Sequence, residues 1–303
     1  MRQVLVLGGS YFAGRVFAMY ASGREDLRLH VVNRGRFPLN LEHVIEYRCD
    51  RHDIPRLLRL LPAGQCFDAV VDFCAYTPGD VADITRSLDG RLGRYILFST
   101  ASIYRPDIPC PDEDTPLAER LPPGPVGDYL RGKAALEREL ATCCGAAVPW
   151  DILRPAFIYG PYNYAPRENW LIRRLLRGEP VPFPADATGR WSLVYVDDIA
   201  RALLRLLWRE RSGCHIYNLA APERVDYPAL FRALELGYGQ TFPRQPMCCA
   251  QVEAEDIPLA FPLRESLCCD GSRLSAELGM AYTPLEKGMA RTVDALRPVI
   301  CRP

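Results

Sequence analysis

From the first residue to about 220, short apolar runs alternate with stretches whose apolar positions recur every three to four residues. QVLVL (3–7) is closed by Gly8-Gly9, and in SYFAGRVFAMYASG (10–23) Phe12, Val16, Phe17 and Tyr20 fall at helical spacing. Strand, glycine turn and helix predict the opening of a βαβ unit, with backbone N–H groups and a helix N-terminus where a phosphate can sit. LRLHVV (27–32) is a second strand, running out at Asn33-Arg34-Gly35-Arg36. A third ends at Cys49-Asp50, before a helix over 53–61. FDAVVDFCAY (67–76) reads as a buried strand with a helix near 79–89, and RYILFSTASIY (94–104) as another, carrying Ser99, Thr100 and Ser102 at its C-terminal end. Residues 105–126, rich in Pro, Asp and Glu, read as a loop before a helix that runs to about 142. WDILRPAFIYGPY (150–162) is a strand turning into a Pro/Gly loop, and 168–178 is helical, with Arg173, Arg174 and Arg177 on a solvated face. A strand and helix fill 190–210; the helix opens on Asp197-Asp198, carboxylates that suit a helix N-terminus by capping and dipole. HIYNLAA (215–221) is the last short strand, and helices with Pro-rich connections follow.

This alternation predicts an α/β fold, a Rossmann-type doubly wound parallel sheet with a smaller C-terminal substrate lobe. The sheet would be built from 1–160 with 190–222 returning to it, and the lobe from 161–189 and 223–303 closing over a cleft. Ligands of such sheets gather at the carboxyl ends of the strands, so the hydroxyls of 99–102 are placed to hold a substrate oxygen. At the end of the second strand, an acidic residue would read the ribose 2′-hydroxyl of NAD, whereas Arg would accommodate the 2′-phosphate of NADP. Asn33 followed by Arg34 and Arg36 leans toward NADP, the alternative being a solvated turn.

Composition narrows the class. Of 303 residues, 49% are hydrophobic and 24% charged, as in ordinary globular proteins, and the net charge of +0 argues against non-specific nucleic-acid or anionic-membrane binding. No 18-residue apolar run and no basic leader followed by a long apolar segment occur, which predicts a cytoplasmic protein without a membrane span. The twelve cysteines include three adjacent pairs but no CxxC, and the four histidines are scattered, so reduced thiols and no metal site are expected.

The chain contains two lysines, Lys133 and Lys287, among 37 basic residues. Lys133 stands four residues after Tyr129 in GDYLRGK (127–133), which puts a phenol and an ammonium on one helix face. With 15 tyrosines and two lysines placed independently, about 0.1 such pairs would arise. A chain that uses Arg nearly everywhere keeps here the compact amine that shifts its pKa readily. The cation would stabilise the phenolate and make Tyr129 a proton shuttle. The plain alternative is a surface Tyr beside a solvated Lys.

In order along the chain, GGSYFAG (8–14), FSTASIY (98–104), Tyr129-xxx-Lys133, LRPAFIYGP (153–161), VYVDDIA (194–200), IYNLA (216–220) and LGMAYTPLEKGMARTV (278–293) resemble the motifs of the extended short-chain dehydrogenase/reductase family, the NAD-dependent epimerases and dehydratases. The resemblance implies an NAD(P)-dependent enzyme acting on a sugar-like or nucleotide-linked substrate. Tyr129 would be the acid/base, Lys133 would lower its pKa and bind the nicotinamide ribose, and Thr100 would orient the substrate oxygen. Gly8, Gly9, Ser10, Tyr11, Phe12 and Gly14 would form the cofactor turn, with Asn33, Arg34, Asp50, Cys74 and Ala75 lining the rest of the cofactor site. Ser102, Asn163 and Arg190 would meet substrate. A dimer through the Tyr-bearing helix is the family's habit.

The departures from the family pattern are specific. Tyr11 stands where the turn normally has a third glycine, which brings cofactor occupancy into question. Ala101-Ser102 replaces the acidic pair that serves dehydration, so dehydration is not expected. Trp191-Ser192 replaces the usual Arg-Asp. The GG-[ST]-x-F-x-G turn with Asn-Arg-Gly is similar to an atypical branch that includes chloroplast stem-loop RNA-binding proteins. The alternative function is therefore a catalytically silent nucleotide-binding scaffold or RNA-associated protein.

Overall fold

The computed structural model describes residues 1–145, 147–210, 213–259 and 261–300. In chain order the strands are β1 (Arg2–Leu7), β2 (Leu27–Asn33), β3 (Val44–Arg48), β4 (Ala69–Asp72), β5 (Tyr95–Phe98), β6 (Trp150–Pro155), β7 (Phe157–Tyr159), β8 (Val181–Pro184), β9 (Trp191–Tyr195), β10 (Cys214–Leu219), β11 (Arg224–Val225) and β12 (Arg244–Met247). The helices are α1 (Phe12–Ser22), α2 (Ile54–Leu60), α3 (Asp80–Ser87), α4 (Pro125–Cys144), α5 (Glu168–Leu176), α6 (Val196–Trp208), α7 (Tyr227–Tyr238), α8 (Cys249–Ala254), α9 (Ser272–Leu278) and α10 (Leu285–Ile300).

The main sheet has the order β10-β6-β5-β4-β1-β2-β3, and all its pairings are parallel. Because side chains alternate across a strand, each strand feeds two cores. Val4 and Val6 of β1 join the core under α1 and α6, whereas Leu5 and Leu7 join the core under α3 and α4. This is why the inner strands read as unbroken apolar runs. The order in which strands are added reverses at β1, with β2 on one side and β4 on the other, and the carboxyl ends of these strands open into the cleft.

The structure corrects three expectations. The segment 190–222 returns to the main sheet only through β10, which pairs with β6. β9 instead lies between β7 and β11 in a separate three-stranded sheet. The run 94–104 is strand only as far as Phe98; Ala101–Ile103 form a single 3₁₀ turn with Thr100 as its cap, the Thr100 hydroxyl accepting from Ser102 N at 3.2 Å. Strand structure does not end at 221, since β11 and β12 follow.

Asp197 and Asp198 serve as ties between elements. Asp198, fully buried, accepts from Thr283 N and Thr283 Oγ1, and Asp197 accepts from Tyr20 at 2.9 Å. Among the described residues, no helix is long and apolar enough to cross a membrane.

Candidate active site

The turn after β1 is shaped by what a side chain would strike. Gly8 has φ +81°, and a Cβ there would lie 2.7 Å from Cβ and 2.9 Å from Sγ of Cys74. A Cβ on Gly14 would lie 2.7 Å from the Gly9 Cα, so the first turn of α1 rests directly on the loop backbone. A Cβ on Gly9 would lie 2.7 Å from Val6 Cγ1 and 3.2 Å from Val31 Cγ1, so the turn packs directly on the sheet. Phe12, at φ +38°, holds the strained backbone of this turn.

At Tyr11, where the turn normally has a glycine, the backbone is extended (φ −134°, ψ 143°), a conformation open to any residue, so no backbone angle at this position calls for glycine. The Tyr11 ring stacks between Phe37 and Tyr164, with both centroids at 4.8 Å. Phe37 belongs to the loop after β2 and Tyr164 to the loop before α5, so the stack bridges the rim of the cleft. Each such pair is worth about 0.5–1.5 kcal/mol beyond its buried area. Tyr164→Ala is accordingly expected to speed dissociation of a bound dinucleotide by about 2- to 12-fold. Displacement followed by stopped-flow fluorescence reads this; an unchanged rate would mean that the stack does not close the cleft.

Beneath the rim lies a cavity of about 690 Å³, reaching from Gly8, Asn33 and Asp50 to Thr100, Tyr129 and Lys133. Lys133 is 2% exposed, and its Nζ donates to Ala75 O at 2.8 Å and Phe98 O at 2.7 Å. These carbonyls lie just past β4 and at the end of β5. The lysine can reach both because α4 comes close: a Cβ on the preceding Gly132 would lie 2.5 Å from Tyr76 O. Burial lowers the Lys133 pKa to about 8, so the ammonium persists at neutral pH with a third N–H beyond the two carbonyls.

The expected depression of the tyrosine is not found. Tyr129, 40% exposed, is pushed up by desolvation, and the neighbouring Thr100 hydroxyl opposes the shift. The reason is geometric. The Lys133 Nζ is 5.9 Å from the Tyr129 ring centroid and directs its protons at backbone carbonyls.

The other expected site residues divide. Ser10, Tyr11, Phe12, Arg34, Cys74 and Ser102 line the cavity, whereas Ala75 contributes only its carbonyl to Lys133. Burial pushes the Cys74 thiol up to about 12, which leaves it inert. Asp50 lines the cavity with one oxygen held by His52 N and Nδ1, at 3.0 and 2.8 Å. Asn33 is tied to its own turn, accepting from Gly35 N at 2.6 Å and donating to Glu46 at 3.0 Å. Asn163 lines the cavity, but its amide donates to Glu168 at 2.9 and 3.1 Å and its Oδ1 accepts from Ala165 N, so it shapes the loop. Arg190 is exposed and outside the cavity, with its backbone paired to Ser266 and Leu267. Trp191 is fully buried, stacked on Phe261 at 4.9 Å; it occupies the core of the small sheet. Of the strand-end hydroxyls, Ser99 joins Thr100 and Ser102 at the cavity, and one lining residue, Arg167, was missed. Ser99, 4% exposed, lines the cavity with an Oγ that has no partner. Arg167 also lines it, on a loop whose path no local pattern announces.

Behind the cavity, the Arg51 guanidinium grips both oxygens of buried Asp72 at 2.8 Å and donates to Asp80 O at 2.5 Å. Tyr95 donates to Asp72 at 2.6 Å, and Asp72 accepts from Cys74 N at 3.0 Å. A buried ion pair thus fixes the backbone that faces Gly8 and presents the Ala75 carbonyl to Lys133.

Residues 4–220 match the NAD dependent epimerase/dehydratase family. The chain belongs to that family. Among curated proteins, it is 28% identical over 282 residues to the chloroplast stem-loop binding protein of 41 kDa b of Arabidopsis thaliana, covering 87% of this chain and 70% of that protein. Its fold is that of MoeE5 in complex with UDP-glucuronic acid and NAD (TM-score 0.76, 20% identity, 98% and 99% of the two chains). UDP-glucose 4-epimerase of Thermus thermophilus in complex with NAD is similar (TM-score 0.74, 22% identity, 97% and 99%). So is dTDP-glucose 4,6-dehydratase of Bacillus anthracis with NAD (TM-score 0.78, 17% identity, 97% and 96%). The residues present fit such a dinucleotide: the Gly8–Gly14 turn is a cradle that side chains would fill, and the Ser99 hydroxyl is a buried polar atom awaiting a partner.

Proposed function

We propose that this member of the epimerase/dehydratase family is an NAD(P)-dependent epimerase or oxidoreductase acting on a nucleotide-linked sugar. The observation that carries the reading is that Thr100, Tyr129 and Lys133 line one cavity with the glycine turn. When bound, the dinucleotide supplies hydride acceptance and return. The chain's own groups do the rest. As the phenolate, which the Thr100 hydroxyl and the Arg167 charge favour against desolvation, the Tyr129 Oη takes the proton of the substrate hydroxyl and gives it back. The Thr100 hydroxyl, its lone pair engaged by Ser102 N, retains its proton to hold the substrate oxygen. Lys133, anchored on two carbonyls, keeps a positive charge at the reaction centre. A dinucleotide held by the Gly8–Gly14 turn would supply the hydride chemistry that either epimerisation or net redox needs, with Thr100, Tyr129 and Lys133 in the same roles for both.

Arg34 and Arg36 are exposed, line the cavity and form no ion pair among the described residues, which supports a preference for NADP. A thermal-shift titration with NAD⁺ and NADP⁺ tests both the site and the preference. Binding to the native state is expected to add about 2.7 kcal/mol at a hundredfold excess over Kd. The shift should be larger with NADP⁺, and Arg34→Ala/Arg36→Ala should equalise the two. No shift with either at millimolar concentration would remove the dinucleotide site from consideration.

A second reading has its own support. Phe37, Tyr162 and Tyr164 are exposed around the rim beside Arg34 and Arg36, a combination suited to stacking on single-stranded bases, and the curated relative is named for stem-loop binding. Filter binding of structured RNA at physiological salt discriminates, because retention that survives added salt is not expected of the enzyme.

A further inference from the structure

Arg167 closes the loop before α5, and its backbone is held on both sides. Its N–H reaches Ala165 O at 2.8 Å and Asn169 Oδ1 at 3.0 Å. The half-buried guanidinium lies over the Phe157 ring, with Cζ 5.2 Å from the centroid. It makes a single long side-chain bond, from Nη1 to Ile158 O at 3.5 Å. Among the described residues, no carboxylate forms an ion pair with it. The adjacent Glu168 cannot serve, since it is fully buried and its oxygens accept from Gly160 N and Asn163 Nδ2. A guanidinium carries five N–H donors in a planar fork, and partly burying them without acceptors is costly. Arg167 shares its cavity with Thr100 and Tyr129. Its charge also favours the Tyr129 phenolate, which puts it in electrostatic reach of the proton-transfer atom. The unpartnered Ser99 hydroxyl lines the same cavity.

We propose that Arg167 reads a carboxylate carried by the substrate's sugar, so that the preferred substrate is a sugar acid. This rests on the nucleotide-sugar reading above. The planar fork matches a carboxylate in bidentate fashion, and the cavity it shares with Thr100 and Tyr129, within electrostatic reach of the Tyr129 phenol, puts it at the sugar end of the substrate. The glycine turn, with its backbone N–H groups and helix N-terminus, is the place for the dinucleotide's own phosphates, leaving Arg167 to the substrate.

The test uses the dinucleotide-loaded protein and isothermal titration with UDP-glucuronate and UDP-glucose. These differ by one carboxylate. The wild type is expected to prefer the acidic sugar by about 10- to 100-fold, the worth of a charge-assisted hydrogen bond. Arg167→Gln should bring the two affinities together, and Arg167→Lys should restore part of the gap. The melting temperature and dinucleotide shift of each variant verify that it is folded. Equal affinities in the wild type overturn the proposal, and so does an equal loss for both sugars in Arg167→Gln, which would assign the residue to the diphosphate. Should neither nucleotide sugar bind while the dinucleotide does, the nucleotide-linked reading fails. Thermal shifts with free glucuronate and free glucose then decide the carboxylate site by the same criterion.

Discussion

Tyr129→Phe is expected to lower turnover of the true substrate by about 10²- to 10⁴-fold, the contribution of a positioned acid/base. The ring remains and only the Oη is lost, so the dinucleotide-induced thermal shift should equal that of the wild type. The separation of the two readouts carries the argument: a loss of fold or cofactor would lower both, and loss of the proton shuttle lowers turnover alone. The pH profile offers an internal check. Lys133 is a lysine whose folded-state pKa is depressed to about 8 by burial, so it is charged below that value and neutral above it. An alkaline fall in kcat/KM near 8 is expected, because that parameter reports groups of the free enzyme. Turnover that survives Tyr129→Phe would return the proton transfer to another group.

Arg51→Met should cost about 3–5 kcal/mol of stability, since it strips the buried Asp72 carboxylate of its ion-pair partner. Asp72 is 0% exposed and Arg51 8%, so solvent offers little relief. Adding Asp72→Asn to Arg51→Met should recover most of the loss, because the buried carboxylate left without its guanidinium is then a neutral amide. Guanidinium unfolding midpoints of the wild type, the single variant and the double variant measure this. A cost under about 1 kcal/mol for the single variant would mean that the carboxylate is neutral or hydrated, contrary to the pairing described. The effect should extend to the site, because Asp72 also holds Cys74 N, and the Ala75 carbonyl that receives Lys133 follows directly.

The sequence by itself determined the parallel sheet, the glycine turn and the Tyr129–Lys133 pair, because each is written in local spacing. Buried parallel strands are apolar on both faces, a turn against a neighbouring strand demands glycine, and two groups four residues apart must share a helix face. What depends on partners distant in the chain was decided only by the tertiary structure. Trp191–Tyr195 has the composition of an inner strand, yet β10 takes the place beside β6 and β9 pairs with β7 instead. Tyr11 looked like an obstacle because a residue type carries no backbone angle; its extended φ and ψ and its two stacking partners come from three separate loops. Asn163 was legible as a polar residue in the right loop, but its commitment to Glu168 was not. Lys133 was legible as an amine beside a phenol, whereas its two carbonyl partners lie 58 and 35 residues away, and they turn its charge from the tyrosine ring toward the sheet. Arg167 is one arginine among many in the sequence, and only the path of its loop leaves it unpaired against the cavity.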